Sequence, residues 1–139
     1  MATVREVMSE TLYTVGPSST VGEAVALMAQ HRVGSMVVMD GTRLAGIFTE
    51  RDTVRAISHS YDAPSHEVSS WMTSDPMTVG PDDEVEDALK TMLDKGFRHL
   101  PVVTDGALVG IISIGDVVKH HVAEVTMEAM AMREYITHS

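Results

Sequence analysis

The stretch GIFTERDTV, residues 46–54, decides the fold, because GIISIGDVV, residues 110–118, repeats its pattern. Both read Gly-Ile-x-Thr/Ser-x-x-Asp and end in Val. Working outward, an offset of 64 residues lays Val4–Asp52 over Val68–Asp116 without a gap and matches fourteen positions identically. Among them are Met8/Met72, Gly16-Pro17/Gly80-Pro81, Met28/Met92 and Asp52/Asp116. An internal period of this kind marks a duplication in which each copy is one structural unit.

Within each copy the apolar pattern changes period in the same order. LYTV (12–15) and PMTV (76–79) read as short extended segments followed by Gly-Pro. Val21, Ala24, Val25 and Met28, like Val85, Ala88, Leu89 and Met92, fall at i, i+3, i+4, i+7, one face of a helix. Thr20 with Glu23, and Asp83 with Glu86, have the spacing of capping boxes at the helix starts. SMVVMD (35–40) and LPVVTD (100–105) read as buried strands, and RLAGIF (43–48) and ALVGII (107–112) as return strands. A last helix is expected to begin near Glu50 and again near Ile114. The order β-α-β-β-α therefore occurs twice, an α/β arrangement. One unit of this size buries too little surface to be stable alone, so the two sheets are expected to pack together as an α+β sandwich. The expected divisions are residues 1–58 for the first repeat, 59–67 for a polar linker, 68–120 for the second repeat and 121–139 for a helical extension.

Two β-α-β-β-α units, each carrying Gly-Ile-x-Thr/Ser-x-x-Asp, resemble a tandem pair of cystathionine-β-synthase (CBS) domains, a Bateman module of the stand-alone, single-pair kind. The resemblance rests on VMSETLYTVGPSSTVGEAVALM, GSMVVMDGTRLAGIFTERD, WMTSDPMTVGPDDEVEDALKTM and FRHLPVVTDGALVGIISIGD, and spans residues 2 to about 120. It implies a pseudo-two-fold axis between the repeats, two clefts that take AMP, ADP, ATP or another adenosyl ligand, assembly into a disc-shaped dimer, and a sensing or regulatory role without catalysis. By the same resemblance Asp52 and Asp116 are the ribose-binding residues, with Thr49 and Ser113 beside them. Backbone of the segments holding Thr14-Val15 and Thr78-Val79 would meet adenine, with Ile47 and Ile111 as apolar walls.

The chemistry suits these residue types. An ionised carboxylate can accept hydrogen bonds from both hydroxyls of a ribose, and a hydroxyl at a helix N-terminus sits among N–H groups that favour an anion. The same residues also form a capping box, which requires no ligand. Taken alone the motif favours the cap; the whole repeat favours at least one ligand site, and the two roles can coexist. The copies differ where a phosphate would lie. Arg98 and His99 precede the strand of the second copy, where the first has Gly34 and Ser35. Arg51 stands in the first copy where the second has Gly115. Arg51 and Arg98 could approach one phosphate from opposite repeats, or each could be a solvated charge.

Twenty acidic residues against ten Lys and Arg give a formal charge of −10, which argues against nonspecific binding to nucleic acid or anionic membrane. The chain has no cysteine, so thiolate chemistry and Cys-ligated metals are excluded. No apolar run is long enough to span a bilayer and the N-terminal residues do not read as a signal peptide, so the expected location is cytoplasmic. His120, His121, Glu124 and Glu128 share one helix but read better as a solvated face than as a metal site, and no catalytic motif is present. Val118, Val122, Val125, Ala129, Met132 and Ile136 are spaced 4, 3, 4, 3, 4, a heptad-like seam that predicts a long helix reaching a second subunit. The sequence thus points to a homodimeric regulatory module that binds an adenine nucleotide, requires no cofactor and signals to an unidentified protein partner. The rival is a dimerisation scaffold with empty clefts. IMP dehydrogenases also carry tandem CBS units, but their catalytic barrel has no counterpart in this sequence.

Overall fold

The computed structural model describes residues 2–138. Along the chain run α1 (Val4–Val7), β1 (Thr14–Val15), α2 (Val21–His31), β2 (Ser35–Asp40), β3 (Arg43–Thr49), α3 (Glu50–His59), β4 (Thr73–Ser74), α4 (Val85–Lys95), β5 (His99–Thr104), β6 (Ala107–Ser113) and α5 (Ile114–His138). The expected β-α-β-β-α order is present in both halves, with helices starting at Glu50 and Ile114. In the second half the first strand is reduced to one parallel bridge, Val79 with Val102.

Each half has its own core. Val21, Ala24 and Met28 of α2 pack on Met36, Val38 and Phe48 of the first sheet. Val85, Ala88 and Met92 of α4 pack on Leu100, Val102 and Ile112 of the second. The helical spacing read from the sequence is what places these residues on one face. Thr20 caps α2 reciprocally with Glu23, as expected. The matching box at Asp83 and Glu86 does not form: the cap residue of α4 is Glu84, which makes no side-chain cap bond. Asp83 accepts a hydrogen bond from the Gly80 N–H at 2.8 Å. Ser19 does the same for Gly16, so Asp83 belongs to the Gly-Pro turn.

The halves exchange their leading segments. Val68 is fully buried in the first core and Val4 in the second. β4, from the start of the second repeat, pairs antiparallel with β3 of the first, setting Ile47 opposite Thr73 and Gly46 opposite Ser74. The equivalent contact on the other side is the bridge between Ser9 and Ile111. Two further bridges, Thr3 with Glu84 and Thr20 with Glu67, are related by the same offset. The crossing explains the glycine of the repeated motif. A Cβ on Gly46 would lie 2.6 Å from the Met72 sulfur and 2.7 Å from the Thr73 carbonyl oxygen; on Gly110 it would lie 2.7 Å from the Met8 sulfur. Only a glycine lets the crossing segment lie this close.

The expected linker is a packed strap. It contains a short 3-10 turn, Ala63–Ser65, with Ala63 fully buried. The Val21 N–H donates to the His66 carbonyl at 2.9 Å. The expected extension at 121–139 continues α5 without a break as far as it is described, to His138.

Candidate functional site

Two clefts lie between the halves. The larger, of about 730 Å³, is lined by Thr49, Asp52 and Ile47 of the first repeat together with Thr73, Pro76 and Met77 of the second. Arg51 and Arg98 both reach it, from opposite repeats, with Lys95 beside them. The smaller, of about 420 Å³, is lined by Ser113, Asp116 and Ile111 with Ser9, Thr11 and Tyr13 of the first repeat. Arg32 and Lys119 supply its cations. His99 and Ser113 border both clefts.

The strand-to-helix turns carrying the motif are built as capping boxes. Asp52 Oδ2 accepts from the Thr49 N–H at 3.0 Å, and Thr49 Oγ1 accepts from the Asp52 N–H at 3.3 Å. Asp116 Oδ2 accepts from the Ser113 N–H at 2.9 Å, and Ser113 Oγ accepts from the Asp116 N–H at 3.0 Å. Each carboxylate thus spends one oxygen on its own helix. The second oxygens differ. Asp52 Oδ1 faces Arg55 at 3.3 Å. Asp116 Oδ1 engages no ion pair or hydrogen bond among the described residues.

The cations are held differently as well. Arg51 donates to the Gly96 carbonyl at 3.1 Å, which ties the start of α3 to the end of α4 across the halves. Arg55 donates to the Trp71 carbonyl at 2.7 Å and lies over its ring, 5.2 Å from the centroid. His99 has its Nδ1 buried without a hydrogen-bond partner. Burial holds its imidazole below the ordinary value of 6.5; Arg98 pushes the same way, while Asp116 and Glu50 oppose it.

Of the residues singled out in the sequence, Thr49, Arg51, Asp52, Ile47, Arg98 and His99 come together in the larger cleft. Ser113, Asp116, Ile111 and His99 come together in the smaller. Arg98 therefore stands with Asp52, across the repeats, and does not line the cleft of Asp116. Thr14, Val15, Thr78 and Val79 line neither cleft. Thr14 and Val15 are paired within the sheet to Val37 and Val38, and Val79 to Val102. The chain a few residues upstream, at Ser9–Tyr13 and Thr73–Met77, faces the clefts in their place. Those residues, with Arg32, Lys95 and Lys119, escaped the sequence reading because their placement follows from the crossing. The repeated Met8/Met72 pair beside the repeated glycines was its one trace. No group of His, Asp and Glu suited to a metal ion occurs among the described residues.

Comparison with known proteins bears on the same frame. The model of the CBS domain matches twice, at residues 4–59 and 68–123. An uncharacterized 17.7 kDa protein of Acidianus ambivalens is 45% identical over 123 residues, covering 86% of this chain and 73% of that protein. The chain spans 41% and 60% of the lengths of two other curated relatives. Among solved structures, a CBS-domain protein of Agrobacterium tumefaciens superposes with a TM-score of 0.83 at 35% identity, over 86% of this chain and 99% of that one. CBSX2, solved in complex with AMP, superposes with a TM-score of 0.76 at 32% identity, over 87% and 96%. With both repeats matched and the crossed two-sheet architecture in place, the chain belongs to the CBS-domain family as a tandem pair.

Proposed function

We propose that this protein is a regulatory module that binds an adenine nucleotide (AMP, ADP, ATP or a related adenosyl ligand) in the clefts between its repeats. It works as a cytoplasmic homodimer, without catalysis, and signals to a protein partner. The observation that carries this reading is the composite larger cleft. There a carboxylate fixed at a helix N-terminus, Asp52, shares one space with Arg51 and Arg98 contributed by opposite repeats. A ribose diol suits the carboxylate and a phosphate suits the cations and helix N–H groups. The AMP complex of CBSX2 supports the choice of nucleotide. Asp116 is capped in the same way but, unlike Asp52, whose second oxygen faces Arg55, has one oxygen left for a diol. Thr49, Ser113, Ile47, Ile111 and His99 complete the two surroundings.

The scaffold reading has its own support: both capping boxes are complete without a ligand. Titration calorimetry with AMP, ADP, ATP and S-adenosylmethionine separates the two. Saturable heat from any of them supports the sensor, and no heat from all four, with the protein folded by circular dichroism, leaves the scaffold.

A further inference from the structure

Helix α5 runs 25 residues, Ile114–His138, whereas the match to the family ends at residue 123. The remaining fifteen residues, 124–138, amount to about 22 Å of helix at ~1.5 Å per residue. Among the described residues this part is exposed on every side. Along its apolar seam Val122 is 57% exposed and Met132 69%. The seam continues towards the repeats through Val118, and α3, the counterpart of the start of α5 in the first repeat, also carries exposed Val54 and Ile57. A stripe of this size on a lone helix marks an interface.

The spacing and charges identify the occupant. With Val122 and Ala129 as a positions and Val118, Val125 and Met132 as d positions, Glu128 falls at g and Arg133 at e. In a parallel two-stranded coil, g of one helix faces e of the other five residues further on. That rule brings Glu128 of each helix opposite Arg133 of its mate. Neither side chain makes an ion pair among the described residues; the ion pair nearby on the same helix joins His120 to Glu124. Set antiparallel, the same helices would face g to g and e to e and lose this match.

We propose that the exposed part of α5 pairs with α5 of a second copy as a parallel, in-register coiled coil, with Glu128 of each facing Arg133 of the other. This specifies the homodimer of the proposed function and is independent of nucleotide.

The chain has no cysteine. Met132→Cys therefore provides a single thiol, and under mild oxidation it should give a disulfide-linked dimer in most of the protein, whereas Glu134→Cys, on the outer face, should not. Charge reversal supplies the second arm. Glu128→Arg and Arg133→Glu alone should each raise the monomer–dimer midpoint about tenfold, since each makes two like-charge pairs per dimer. Mixing the two variants one to one should restore the parent midpoint. Circular dichroism checks that each variant keeps its helix. A dimer that persists in light scattering without the Met132→Cys cross-link, or that ignores the charge reversals, overturns the coil while leaving the homodimer standing. A parent that stays monomeric at high micromolar concentration overturns both.

Discussion

Arg98→Ala tests whether the larger cleft handles phosphate. Arg98 lines it with Arg51 and Lys95 and is itself largely exposed. Arg51 already donates to the Gly96 carbonyl, so Arg98 is the less committed guanidinium of the pair. A charge-assisted hydrogen bond contributes about 1.5–3 kcal/mol, and solvent exposure places Arg98 at the low end. A loss of ~1.5 kcal/mol is roughly a tenfold rise in Kd. The rise should be about tenfold for AMP, larger for ATP and less than twofold for adenosine, which presents no phosphate. Titration calorimetry at fixed ionic strength gives all three constants, and the differences should shrink as salt is added. Equal losses for adenosine and ATP would refute the reasoning, because Arg98 would then be acting through the fold of the α4–β5 turn.

Asp116→Glu should leave the melting temperature of the free protein nearly unchanged, because glutamate suits the third helical position of a capping box, and should weaken nucleotide in the smaller cleft at least tenfold by displacing the carboxylate; unchanged affinity in both this variant and Asp52→Glu would reduce the motif to a helix cap. Gly46→Ala should destabilise by about 2–3 kcal/mol, since its Cβ meets the Met72 sulfur and a backbone oxygen that the sheet holds in place; chemical denaturation with an unchanged midpoint would show that the crossing segment yields freely. Burial holds the His99 imidazole below its ordinary value, with Arg98 adding to the shift and Asp116 and Glu50 opposing it, so acid favours the unfolded state. The unfolded chain takes up this proton first, so stability should fall as pH drops below about 6.5 and level off below the depressed folded value. His99→Gln should flatten that slope, and parallel curves for parent and variant between pH 7 and 5 would remove the assignment.

The element order was legible because helical and strand periods are local. Val21, Ala24 and Met28 declare their helix within eight residues, and Ile47 and Asp52 declare a strand-to-helix turn by repetition. Local spacing misled at Asp83, where an acid three residues before Glu86 looks like a cap but closes a turn on Gly80. The crossing was not legible. Thr73 pairs with Ile47 over 26 residues and Ser9 with Ile111 over 102, and neither pairing leaves a period along the chain. It is the crossing that decides which Asp shares a cleft with which cation. Arg98, in the same repeat as Asp116, therefore stands with Asp52 and Arg51 of the other repeat.

The repeated motif now divides into three physical tasks. Its glycine admits the crossing segment, whose Met72 or Met8 occupies the space a side chain would take. Its hydroxyl residue and one carboxylate oxygen close the helix start, which fixes the second oxygen relative to the cleft wall. The wall opposite comes from the other repeat, as Thr73 and Met77 in one cleft and Thr11 and Tyr13 in the other. The space beside either carboxylate is thus walled by both halves, so on the proposed reading a bound nucleotide would contact both. The duplication supplies stability by sharing Val4 and Val68 between the cores, and the same exchange makes each cleft a joint between two bodies.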